Sequence, residues 1–102
     1  MALTDEAVEK EISRVFAANH KALKGHRVLL FGSRATGTAG ARSDFDLAVD
    51  GSKPLDLETF FGIKDALDQI PTLYAIDWMD LNRVSQKVSN NARLNGRILY
   101  EG

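Results

Sequence analysis

Apolar residues recur along this chain in two rhythms, one of about three and a half residues and one of two. Val8, Ile12, Val15 and Phe16 keep the first. Thr4 stands ahead of them as an N-cap, and Asp5 and Glu6 place acidic charge where a helix N-terminus favours it. The pattern predicts a first helix ended by Gly25. His26 to Phe31 is a short apolar run stopped by Gly32, the pattern of a buried strand, and the glycines at 32, 37 and 40 mark an irregular loop. From Asp44 to Asp50 the rhythm is two: Phe45, Leu47 and Val49 share one face, and Asp44, Asp46, Ala48 and Asp50 the other.

Beyond the Gly51–Pro54 turn, Leu57, Phe60, Phe61, Lys64, Leu67 and Ile70 return to helical spacing until Pro71 forbids its continuation. Gly62 weakens this helix. Thr72 to Trp78 predicts a third strand, with Tyr74, Ile76 and Trp78 on the core face and Leu73, Ala75 and Asp77 opposite. Asn82 to about Leu94 reads as a last helix with Val84 and Val88 inward. Arg83, Lys87, Arg93 and Arg97 make this tail basic.

With 102 residues, the chain is expected to be one domain, residues 1–102, without room for a second substrate-binding domain. A net charge of −1 gives no field for general nucleic-acid binding. The absence of cysteine excludes disulfides and thiolate metal sites, and no stretch resembles a signal peptide or membrane span. A soluble cytoplasmic protein with no membrane association is expected.

Candidate chemistry lies where two strand ends meet. Gly32 and Ser33 precede the Asp44-x-Asp46 pair by a fixed short loop. Alternate strand residues face the same way about 6.6–6.8 Å apart, so Asp44 and Asp46 can bracket a hard cation. Magnesium suits them, because it takes oxygen ligands and leaves positions for water and substrate phosphates. Two-metal phosphoryl transfer asks for a third carboxylate, and strand parity nominates Asp77. Asp50 shares the parity but lies about 13 Å along the strand from Asp46. Asp80 falls past the third strand's expected end. Gly32 permits close backbone approach to a phosphate, and Ser33 adds a hydroxyl. Arg34 and Arg42 flank the loop, either neutralising triphosphate charge or standing in solvent, and Ser43 either braces the turn or touches a nucleotide. His20 and His26 have no spacing that suggests a metal site or triad. Trp78, Tyr74, Phe60 and Phe61 are expected in the core.

These residues resemble the DNA polymerase β-like nucleotidyltransferase superfamily. Gly-Ser-Arg-Ala-Thr-Gly, Ser-Asp-Phe-Asp-Leu-Ala-Val and Ala-Ile-Asp-Trp are similar to its minimal nucleotidyltransferases, and the order of elements matches over nearly the whole chain. Many members carry arginine where this chain has Thr36. The resemblance implies an α/β (α+β) fold, a small mixed β-sheet with helices packed on one face and the active site on the other. It implies that Asp44 and Asp46 hold magnesium, in two ions, that Gly32 and Ser33 grip the triphosphate of ATP, and that Asp77 is both metal ligand and activator of the acceptor hydroxyl. It further implies a partner, a HEPN-like helical toxin that such a protein neutralises as an antitoxin by transferring AMP to it. Two other readings stand beside this one: a non-catalytic module that masks a helical partner, and a transferase acting on a small-molecule or nucleic-acid hydroxyl.

Overall fold

The computed structural model describes residues 4–32 and 44–102. Helix α1 (Asp5–Ala18) is followed by strands β1 (His26–Phe31) and β2 (Phe45–Gly51), helix α2 (Leu57–Asp68), strand β3 (Ile76–Asp80), helix α3 (Gln86–Asn95) and strand β4 (Arg97–Glu101). The strands form one mixed sheet in the order β3-β2-β1-β4. β1 runs antiparallel to both β2 and β4, and β2 runs parallel to β3.

The sheet's two faces are built from the alternation within each strand. Val28 and Leu30 of β1 and Phe45, Leu47 and Val49 of β2 point to the face covered by α1 and α2, where they meet Val8, Ile12, Phe16, Ile63 and Leu67. Burying each such side chain contributes about 1.5–3 kcal/mol. Trp78 closes this core, stacked 5.5 Å from Phe60 and tilted 5.4 Å from Phe16, with its indole N–H donated to the Phe60 carbonyl at 3.1 Å. Leu29, Phe31 and Ala48 point the other way and pack with Leu81, just past β3, and with Ala92 of α3. The expected fold class holds, with a refinement: α1 and α2 share one face, whereas short α3 lies on the face that carries Asp46.

Several boundaries differ from the reading of the sequence. Thr4 does cap α1, its hydroxyl accepting the Ala7 N–H at 3.2 Å, but the helix ends at Ala18 rather than Gly25. Asn19 turns its amide back to the Val15 carbonyl at 2.7 Å and competes with the next helical turn. In α2 the inward residues are Ile63 and Leu67, while Leu57 and Phe61 stay exposed, so Phe61 is not a core residue. Gly62 faces open space and the helix runs through it.

β3 begins and ends later than expected, and its last residue is Asp80. That carboxylate is buried and accepts N–H groups from Leu55 at 2.8 Å and Asn82 at 2.9 Å. The turn it organises delays α3, which starts after Ser85, the residue whose hydroxyl accepts the Val88 N–H. Ser89 and Ala92 face the sheet, and Val88 does not. β4 is a short strand without a fully buried residue, and the apolar rhythm of the chain does not announce it.

Candidate functional site

Asp46, Asp77 and Gly32 converge because of strand register. Asp46 lies opposite Phe31, the last residue of β1, and opposite Asp77 across the parallel β2–β3 pair. Gly32 follows Phe31 directly with φ +75°, a conformation costly for any residue with a Cβ. A methyl group at Gly32 would collide with the Asp46 carboxylate oxygen Oδ2. Close approach of this backbone to Asp46 therefore requires glycine for both reasons. Asp44 stands just ahead of β2, exposed, two residues from Asp46.

The electrostatics of Asp46 follow from these neighbours. Its carboxyl is held above the usual 3.8, first by burial, then by the charge of Asp77 and a hydrogen bond to it, and last by the charge of Asp44. Like charges gathered this way oppose one another unless a proton or a cation intervenes. Among the described residues no three His, Cys, Asp or Glu side chains are gathered as a finished metal cage. The constellation is a close carboxylate pair, Asp46 and Asp77, with Asp44 beside it. Such a donor set fits magnesium, which binds through one or two carboxylates and takes its other ligands from water and phosphate.

The other aspartates on these strands have different partners. Asp50, four residues beyond Asp46 on the same face of β2, is almost fully buried. Its Oδ2 accepts from Arg27 Nε and Nη2 at 3.1 and 3.0 Å, and its Oδ1 from Arg93 Nε and Nη2 at 3.1 and 2.9 Å. Burial pushes its carboxyl up, but the hydrogen bonds and charges of Arg93 and Arg27 outweigh that and hold it below 3.8. Asp50 thus ties β1, β2 and α3 together and is no metal ligand. The groove of about 450 Å³ beside it, lined by His26, Arg27, Asp50, Arg93 and Glu101 among others, lies at the sheet end away from Asp46. Asp80 is occupied by the backbone amides that shape its turn.

Ser33, Arg34, Arg42 and Ser43, all expected around a nucleotide, lie outside the described residues, as does Thr36. The basic tail is largely engaged within the chain. Arg93 binds Asp50, Arg97 binds Glu9 at 2.8 Å, and Arg83 donates to the Leu55 carbonyl at 3.1 Å. The Arg27–Asp50–Arg93 clamp escaped the sequence reading, since Arg93 lies 43 positions from Asp50. Its only local signal is that β1 and β2 pair so that Arg27 stands opposite Asp50.

Residues 10–102 match the family model described as polymerase beta, nucleotidyltransferase. No curated protein sequence matches the chain. Among solved structures, a toxin–antitoxin with AMP-PNP is 24% identical with a TM-score of 0.63, over 92% of this chain and 73% of that one. A tri-AMPylated Shewanella oneidensis HEPN toxin in complex with MNT antitoxin is 21% identical with a TM-score of 0.59, over 97% and 74% of the two chains. The toxin–antitoxin MntA-HepT is 22% identical with a TM-score of 0.57, over 96% and 74%. At these identities the likeness shows the fold. No described helix is long and apolar enough to cross a membrane.

Proposed function

The chain belongs to the polymerase β nucleotidyltransferase family, and from that premise we propose that it transfers AMP from ATP to a hydroxyl of a partner protein in a magnesium-dependent reaction. The partner is a HEPN-like helical toxin, and the chain is its antitoxin, acting in the cytoplasm. The observation that carries the chemistry is the register that sets Asp46 against Asp77, with the Asp46 carboxyl pushed up by burial and by its acidic neighbours. A divalent cation held between the two carboxylates would relieve their repulsion. The acceptor and partner rest on the AMPylated HEPN toxin in the Shewanella oneidensis complex, and the nucleotide on the AMP-PNP in another neighbour.

On this reading Asp44, Asp46 and Asp77 hold one or two magnesium ions. Bound there, the metal would neutralise charge at the reacting phosphate. The residues of the chain do the positioning. Gly32 and Ser33 bring backbone and hydroxyl to the triphosphate, and Arg34, Arg42 and Ser43 border it. The acceptor oxygen attacks the α-phosphorus, the bond from that phosphorus to the bridging oxygen breaks, and pyrophosphate leaves. Asp77, the exposed member of the pair, faces the acceptor and takes its hydroxyl proton.

Intact mass of a HEPN-type partner after incubation with this protein, ATP and magnesium tests the proposal. The partner should gain one or more AMP units, and the double variant Asp44→Asn, Asp46→Asn should leave it unmodified. Transfer that survives the double variant sinks the metal assignment. Neutralisation of the toxin without any mass change would instead mean steric masking.

A further inference from the structure

Helix α3 stands over the sheet face that carries the carboxylates, and its placement there is specific. On that face β2 presents Asp46, Ala48 and Asp50 in order. Ala92 of α3 packs into the cluster with Ala48 and Leu29, and a methyl group at Gly96, just past the helix, would lie 3.3 Å from Leu29 Cβ. Arg93 reaches Asp50, on the side away from Asp46. At about 100° per residue, Val88 and Arg93 leave the helix about 140° apart, on opposite sides of the Ser89–Ala92 seam that faces the sheet. The flank opposite Arg93 is therefore the one turned away from Asp50. Val88 and Asn95 lie on it, with Asn91 beside them, and all three are exposed.

The chemistry of this flank is that of a nucleoside contact. Val88 offers an apolar surface. Asn95 and Asn91 are joined by one amide hydrogen bond of 2.7 Å, which uses one donor and one oxygen acceptor. Whichever way the two amides are turned, the outer ends of the pair keep one carbonyl oxygen and one NH₂ for a ligand. An acceptor beside a donor matches the edge of a base or a ribose hydroxyl. We infer that this flank of α3, held in place by the Arg93–Asp50 clamp, is the wall against which the nucleoside of the bound triphosphate lies, with Asn95 and Val88 as its contact residues. The inference rests on the proposed nucleotidyl transfer at Asp46 and Asp77 and adds to it where the base and sugar sit.

The test compares two ligands, ATP and inorganic tripolyphosphate, each with magnesium, by titration calorimetry on the wild type and on Asn95→Ala, Val88→Ala and Leu94→Ala. Leu94 lies on the solvent side of the same helix and is 84% exposed. Asn95→Ala and Val88→Ala should each weaken ATP about three- to tenfold, the effect of losing one hydrogen bond or one apolar contact, and leave tripolyphosphate unchanged. Leu94→Ala should change neither. Unaltered ATP affinity in both flank variants overturns the inference, and so does a parallel loss for tripolyphosphate. A wild type that binds neither ligand would instead overturn the proposed function itself, and the inference with it.

Discussion

Asp46 and Asp50 are four residues apart on one face of one strand, yet they meet opposite surroundings. Asp46 is met by Asp77 and Asp44, and its carboxyl is held above the ordinary carboxylate value. Asp50 is more deeply buried, but two arginines each give it two hydrogen bonds, and its carboxyl is held below that value. Burial pushes both carboxyls up, so the neighbours decide the outcome. One aspartate is a structural anchor whose charge is already answered. The other is a functional candidate because the described side chains that face it are acidic. Buried acidic residues in this fold are sorted by what faces them, and sequence parity, which they share, does not separate them.

The contrast can be broken from either end. The largest effect is expected on activity. Asp44→Asn with Asp46→Asn should lower AMP transfer by more than about a thousandfold, read as initial rates of partner modification, with little loss of stability. If Asp50→Asn does the same without unfolding the chain, the two ends of the strand do not have separate tasks.

The next largest effect is on stability. Asp50→Ala strands two guanidiniums and unpins α3, and because both arginines are partly exposed the cost should be about 2–3 kcal/mol. In a domain of this size that lowers the melting temperature by about 10–20 °C. Gly32→Ala should cost less, about 1–3 kcal/mol, from its positive φ and from the Asp46 carboxylate it must displace. Urea denaturation would rank the two variants.

The pH dependence should carry opposite signs. With Asp50 held low, its stabilising effect is complete above the unfolded value of 3.8 and is lost as pH falls through the lower folded value. For Asp46, held high, the favourable protonated state is fully present below 3.8, and the advantage is lost as pH rises through the higher folded value. The advantage of wild type over Asp50→Asn should therefore be flat at neutral pH and shrink only in strong acid. Asp46→Asn should behave the other way, more stable than wild type by a few degrees at neutral pH and no better near pH 3. Parallel pH profiles for the two variants would contradict the distinction.

Much of the candidate site's placement was legible in the chain, because a strand's period of two puts Asp46 and Asp77 on the faces where the β2–β3 register sets them opposite each other. The same rule placed Tyr74, Ile76 and Trp78 in the core, where they pack. What the rule cannot supply is long-range pairing. Nothing near Asp50 announces Arg93, and nothing near Asp80 announces that Leu55 will donate to it. Helix ends were lost to side-chain competition, as at Asn19, where an amide takes over a main-chain carbonyl. β4 went unread because five residues with half-exposed apolar positions give too short a period to register. α3 was read by its valines, although the small residues Ser89 and Ala92 are the ones that let the helix approach the sheet.

Thermal melting of wild type and Asp46→Asn, each with and without magnesium at neutral pH, bears most directly on the central claim. If Asp44, Asp46 and Asp77 form a cation site whose repulsion the metal relieves, magnesium should raise the melting temperature of wild type. The metal-free variant should melt above metal-free wild type and gain nothing from magnesium. A variant that melts below wild type, and that magnesium stabilises as much as wild type, would contradict it.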